Sequence, residues 1–400
     1  MHSFNAILYA LSRSLQTMKK SLFVASIMGA FIAPAVYAQS SVTLYGTLDA
    51  GLVYSNNQRG HSNWQQSSGS VSNTYFGLKG NEDLGAGLHA IFTLESGFNL
   101  NNGQFTQSNN LFNRQAFVGL QSNQYGTVTL GRQYDSMVDF LAPLSAAGGG
   151  YGNNLAAHPF DNDNLDNSFS VQNSVKYTSA NYYGLTFGGL YGFSNQAGQF
   201  SQNRAWSAGA SYNNGPLNIA ASYLQLNNAG SNVTGAISVQ NGNANIASNQ
   251  QRTYGAGIGY TYGPATANFV YTHTQLDGVQ GLASGGFTLP GVTGMNLHMD
   301  NYEINGKYAL TPALNLAAAY TFTDGKVSGT ANNGDPKWHT VSLTTDYSLS
   351  KRTDVYVEGV YSHASGQLGN FGANVATINT LEPSSTGNQV AAAVGLRHRF

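Results

Sequence analysis

Apolar and polar residues alternate with a period of two along nearly the whole chain after residue 40. From Ser41 onward, Val42, Leu44, Gly46, Leu48, Ala50, Leu52 and Tyr54 fall on one face. Thr43, Tyr45, Thr47, Asp49 and Gly51 fall on the other. Further on, Tyr302, Ile304, Tyr308 and Leu310 oppose Glu303, Asn305 and Lys307. Successive side chains of a strand point to opposite faces, so this pattern predicts strands with one apolar and one polar face. Turn residues divide the strands. Short turns are predicted around 80–87, 121–126, 179–184, 213–216, 262–264, 310–312 and 348–352. Longer Gly/Asn/Ser-rich loops are predicted at about 55–72, 99–110, 135–168, 194–203, 227–251, 275–299, 324–336 and 363–387. Seven turns and eight loops make fifteen connections, hence sixteen strands. Proline removes a ladder donor and is excluded from central strands. All eight prolines after residue 38, from Pro143 to Pro383, fall in these connections or at a strand mouth.

Alternation alone does not say which face is outside. A sixteen-stranded barrel is too wide for side chains to fill, so its interior would be water. Aromatics cluster near strand ends on the apolar face: Tyr54, Phe76, Tyr177, Tyr254, Tyr262, Tyr308, Tyr347 and Tyr361. Such girdles, with alternating short turns and long loops, mark membrane barrels. The predicted fold is therefore all-β, a sixteen-stranded antiparallel transmembrane β-barrel. In lipid every backbone polar group must be paired, and a closed barrel leaves no edge.

Composition agrees. Only 9% of the 400 residues are charged, while 12% are aromatic, and 48 are glycine. An ordinary soluble domain carries about 25% charge. A disordered chain would hold fewer aromatics and more charge. Residues 1–38 read as a secretory signal peptide: Met18-Lys19-Lys20, an apolar stretch from Leu22 to Ala33, then Val36-Tyr37-Ala38 before the cleavage point. Residues 1–17 read as a misassigned upstream start, and 39–400 as the barrel domain. Without the leader, 14 basic and 18 acidic residues remain, a net charge of −4. No basic patch points to nucleic acid. Cysteine is absent, although an exported chain could form disulfides.

The chain resembles the Gram-negative general diffusion porins, the trimeric sixteen-stranded type. The resemblance is carried by Ser41-Val-Thr-Leu-Tyr-Gly-Thr-Leu-Asp-Ala-Gly51, by Phe76-Gly-Leu-Lys-Gly-Asn-Glu-Asp-Leu-Gly-Ala-Gly-Leu88, and by Phe92-Thr-Leu-Glu-Ser-Gly-Phe98. Gly126-Thr-Val-Thr-Leu-Gly-Arg-Gln-Tyr-Asp135, Asn173-Ser-Val-Lys-Tyr177 and Val394-Gly-Leu-Arg-His-Arg-Phe400 extend it. It implies a homotrimer in the outer membrane, in contact with lipid and lipopolysaccharide, passing small hydrophilic solutes and ions. It also implies that Phe400 is a terminal signal read by the barrel-assembly machinery. An ordinary aromatic-belt residue is the alternative for Phe400.

In that family the third long loop folds into the lumen. Here it runs from Asp135 to Ser168 and carries Asp135, Asp139, Asp161, Asp163 and Asp166, with His158 but no Lys or Arg. Acids opposite a basic wall would bias ion passage. The resemblance places Arg114 on that wall, where local alternation is ambiguous. Tyr75 and Ser170 occupy two positions where family members often carry arginine, so the basic wall is thin. Lys79, Lys176 and Lys307 lie on the lumen parity, as do the acids Asp49, Glu95, Glu303, Asp346, Asp354 and Glu358. Weak selectivity, slightly favouring cations, is expected. Arg132 shares parity with Val128 and Leu130 on the outward face, where arginine near the midplane would cost about 2–4 kcal/mol. The resemblance implies that it meets a neighbouring subunit.

Other chemistry finds little support. Asp161-Asn-Asp163-Asn-Leu-Asp166 lacks the central glycine and closing glutamate of a calcium loop. No His/Cys cluster suggests zinc. No nucleophile or phosphate-loop motif occurs, so no cofactor, metal or enzyme activity is expected. Two further readings are a substrate-specific pore and an adhesin-like barrel acting through its loops. The first would need an aromatic ladder, and Tyr75, Tyr151 and Tyr356 are too scattered in sequence to make one.

Overall fold

The computed structural model describes residues 41–107, 109–149, 154–238, 245–329 and 331–400. The expected signal peptide at 1–38 lies outside the described residues. The first strand, Ser41–Gln58, pairs with the last, Asn388–Arg399, and every strand between them pairs antiparallel with its neighbour. The sheet therefore closes. His61–Ser68 and Tyr75–Gly85 both pair with Ser41–Gln58 and form one interrupted stave. The two-residue strand Phe287–Thr288 belongs to a loop. With these allowances the barrel has sixteen strands.

Its exterior is apolar. Leu44 is 58% exposed, Val118 59%, Ile304 59% and Leu343 61%, all on outward rows. Asn305, beside Ile304, and Ser342, beside Leu343, point inward and are buried. Tyr177, Tyr262, Tyr308, Tyr347 and Tyr361 stand exposed near strand ends, as girdle residues should, whereas Tyr254 is exposed at the middle of its strand. This inversion of soluble-protein patterning is stable only where the outer solvent is lipid.

The seven short turns lie where the sequence places them. The expected loop at 55–72 is instead largely a β-hairpin. Its two-residue turn is Arg59–Gly60, with φ of 53° and 98°. Positive φ at both central residues gives the turn whose twist suits a hairpin. Parts of two other expected loops are also strand: Ile246–Tyr262 has 17 residues and Ala265–Ser284 has 20. Their upper halves carry Gln250, Arg252, Gln275 and Asp277, so composition there reads as loop while the backbone stays paired.

The interior is not simply water. Met137, Leu141 and Leu144 of the loop after Gly126–Gln133 pack on Ala220, Leu224 and Val270 of the inner wall. Gly255, Gly257 and Gly259 form the seat. A Cβ on Gly255 would stand 2.8 Å from Leu141, and one on Gly259 would stand 2.9 Å from Leu144. Only glycine permits that approach. One side of the lumen is thus filled, and the free passage is pushed toward the wall of the first strands.

Candidate functional site: a loop-narrowed eyelet

The loop from Asp135 to Ser170 is held inside the barrel by buried polar contacts. His158 is 3% exposed. Its Nδ1 lies 2.6 Å from Asp163 Oδ2 and its Nε2 3.0 Å from Glu303 Oε2. Glu303 is on an inward row of Asn296–Ala309 and also accepts from the Ala146 N–H at 2.7 Å. Thr272 Oγ1 donates to Asp163. Asn154 Nδ2 donates to Gly69 O at 2.6 Å, fixing the loop to the break in the second stave. Asn379 Nδ2 donates to Asp166 Oδ2 and to Asn154 O, both at 2.8 Å, which ties in the last loop.

Charge in this loop follows from burial. Desolvation alone would lower the His158 imidazole, but Asp163 and Glu303 outweigh it and hold it well above its ordinary 6.5. Burial pushes Asp163 up, but His158 overcomes it, and the carboxyl ends below its ordinary 3.8. Asp161 is raised to about 6 by burial and by Asp163. Asp135 is raised to about 7 by burial, although Asn164 and the Met137 N–H stabilise its charged form. Burial and the neighbouring Asp161 raise Asp166, against the pull of Arg114.

These contacts correct the expectation of an acidic face on the loop. Asp135, Asp161 and Asp163 do not line the passage. They are 0%, 3% and 0% exposed. Asp135 accepts from Met137 N and Asn164 Nδ2, and Asp161 accepts from the backbone of Asp166 and Ser168. They cap the loop's own turns, the usual work of Asp in tight structure. Asp139 reaches the wall, where Lys176 Nζ meets it at 2.7 Å and also donates to Tyr134 O. Only Asp166 stands at the passage itself.

That passage is a cavity of about 270 Å³. Thr47, Tyr75, Arg114 and Tyr134 line it from the wall, and Pro143, Ala147, Gly148, Asp166 and Asn167 from the loop. It opens upward into a polar vestibule of about 570 Å³, the two sharing Asn73, Arg114, Asp166 and Asn167. Glu95 sits behind this wall, accepting from Gln115 Nε2 and, at 3.1 Å, from Tyr134 OH. Lys79 lies lower on the same wall with its Nζ 5.1 Å from the Tyr45 ring centroid. Lys307 continues the inward row of Glu303 and Asn305, away from this wall. A hollow of about 790 Å³ among Tyr308, Leu316 and Leu343 faces lipid and is not on the route.

Arg132 is outward by parity but does not face lipid. Its Nε donates to Asn113 O at 2.7 Å and its guanidinium meets Gln107 at 3.0 Å and Gln172 at 3.3 Å. The loop at 98–114 covers it within the same chain. Phe400 exchanges two 3.1 Å backbone hydrogen bonds with Gly46 and lays its ring against that glycine, closing the seam.

Three wall residues escaped the sequence reading. Arg397 lies on the inward row of Gln389 and Ala393 and bridges Asp354 at 3.0 Å and Asp346 at 2.9 Å. Strict parity against Val394, Leu396 and His398 would have found it. Tyr134, just past a strand end, gave no periodic signal, and Tyr45 was visible only as one polar-face residue. Tyr356, by contrast, is buried with its hydroxyl on Asp49 Oδ1 at 2.6 Å and does not line the route.

A closed sixteen-stranded barrel with an apolar exterior and a loop-narrowed polar passage defines a membrane pore. Residues 24–367 match the family described as Gram-negative porin. An outer membrane porin protein of Bordetella pertussis is 32% identical over 96% of this chain and 100% of its own length. The chain belongs to the Gram-negative porin family. An anion-selective porin from Comamonas acidovorans has the same fold, with a TM-score of 0.67 at 23% identity, covering 90% of this chain and 100% of its own. The trimer form of OmpT from Vibrio cholerae gives a TM-score of 0.60 at 18% identity over 90% and 99%. The protein is thus an outer-membrane channel for passive diffusion of small hydrophilic solutes.

Proposed function

We propose that solutes enter by the vestibule, pass between Arg114, Tyr75 and the edge of the inward loop at Asp166, and are sorted weakly by charge, with a slight preference for cations. The observation that carries this reading is that charges of both signs share the eyelet and its wall. Arg114 and Asp166 line the same eyelet, and Lys176 is paired with Asp139. Paired charges leave little net field to reject either ion.

The assembly reading is a homotrimer, as in the trimer form of OmpT. Exposed Val42, Leu44, Val118 and Leu120 on the early strands give it an apolar contact surface. Arg132 would then act indirectly, by holding the loop at 98–114 in shape. Lipid and lipopolysaccharide cover the remaining exterior, and Phe400 serves the assembly machinery as the terminal residue of the closing strand.

Reversal potentials across planar bilayers in a KCl gradient test the selectivity. Arg114→Ala should raise the K⁺/Cl⁻ permeability ratio about two- to fivefold, the worth of roughly 0.5–1 kcal/mol for one partly screened charge. Asp166→Asn should lower it in alkaline solution, where the raised Asp166 carboxyl is charged. A wild-type pore strongly selective for anions would refute the proposal.

A further inference from the structure

The free side of the lumen carries a column of rings and cations that the general channel does not require. Arg114 Cζ lies 4.6 Å from the Tyr75 ring centroid. Tyr75 and Tyr45 meet edge to face at 6.2 Å. Lys79 Nζ follows at 5.1 Å from Tyr45. Tyr134 flanks the top, 5.7 Å from Arg114. The strand Ser41–Gln58 rises toward the Arg59–Gly60 turn, so Tyr45 stands below Thr47 and its partner Tyr75. The order from the mouth downward is therefore Arg114, Tyr75, Tyr45, Lys79. Above the column, the vestibule presents carboxamides from Asn73, Asn99 and Asn245.

We propose that this column and vestibule form a binding track for neutral polyhydroxylated solutes, short oligosaccharides being the chemical class that fits. The inference rests on the channel reading above. Each carboxamide both donates and accepts, which matches hydroxyl groups of either orientation. Tyrosine rings offer an apolar face for the C–H surface of a pyranose and a polar tip for its hydroxyls. A vestibule of about 570 Å³ is of the size that holds small ligands, with a few polar groups fixing orientation. Arg114 already stacks on Tyr75 and Tyr134 and shares the eyelet lining with Asp166. The rings are scattered in sequence, at 45, 75 and 134, and the barrel brings them onto one wall.

Single-channel recording with maltotriose, against polyethylene glycol of matched size, tests the track. Maltotriose should produce brief current interruptions that saturate with concentration. The polymer should only lower conductance in proportion to its concentration. Tyr75→Ala should raise the half-saturating maltotriose concentration about three- to tenfold, the worth of one lost ring contact. Tyr75→Phe should restore most of that affinity, and Tyr45→Ala repeats the test one step lower if Tyr75→Ala does not fold. Maltotriose behaving like the polymer in a conducting wild-type pore would overturn the track and leave the channel intact. A folded protein without conductance would overturn both.

Discussion

His158→Ala is expected to unfasten the inward loop. The variant should give channels with frequent partial closures and a lower unfolding temperature. His158 is the one cation between two buried carboxyls, Asp163 and Glu303. Removing one partner of a buried ion pair leaves uncompensated charge and costs about 3–5 kcal/mol. The loop has no other base to replace it, since Lys176 is engaged with Asp139. The packing of Leu141 and Leu144 on the glycine seat should keep the loop nearby, so the result is rattling rather than loss. Current noise and thermal unfolding in detergent measure the two effects. A quiet, equally heat-resistant variant would show that the triad anchors nothing.

The same groups set a pH dependence whose direction is not that of ordinary acid denaturation. The raised His158 contributes its full stabilisation below 6.5 and loses it as pH rises through its docked value. Asp161, at about 6, and Asp135, at about 7, bind protons more readily when docked than at their ordinary 3.8. Their contribution therefore grows as pH falls from about 7 toward 4. Asp163 is depressed, so its share is present above 3.8 and fails only as pH falls through its lower docked value. The loop should be quietest near about pH 5 and noisier near about pH 8. His158→Ala should flatten much of that difference.

Arg397→Ala should weaken the closure of the barrel by a similar amount. Arg397 is 3% exposed and touches Asp354, Asp346 and, at 2.7 Å, Ser72 Oγ. These partners belong to two neighbouring staves and to the break in the second one, so the guanidinium spans the seam. Without it, two carboxyls remain side by side, Asp354 buried and Asp346 partly exposed, which costs at most about 3–5 kcal/mol. Arg399, at 2.6 Å from Asp354, offsets part of this. The temperature at which the folded band disappears in detergent gels should drop. Adding Asp354→Asn to Arg397→Ala should recover part of it, because neighbouring charges are not additive. An unchanged temperature would mean that the seam is held by backbone pairing alone.

The strands and short turns were legible because lipid and water impose opposite polarities on alternate residues. Ile304 beside Glu303 is informative only in that setting. The filled lumen was not legible. Leu224 and Val270 are apolar on inward rows, where the pattern expects polar residues, because they bury the loop rather than face water. The glycines at 255, 257 and 259 looked like ordinary strand glycines until their distance to Leu141 and Leu144 was known. The acids of the loop were found as residues but not as orientations. Whether an aspartate caps a turn, as Asp161 does, or faces solute, as Asp166 does, depends on backbone geometry that composition does not carry. Arg132 shows the same limit: parity gives its face, and only the fold shows the loop that covers it.

Conductance tests the central claim most directly. The refolded chain, added to a planar bilayer between salt solutions, should insert in discrete steps with an ohmic current at low voltage. A correctly folded, heat-modifiable barrel that inserts and passes no current would contradict it.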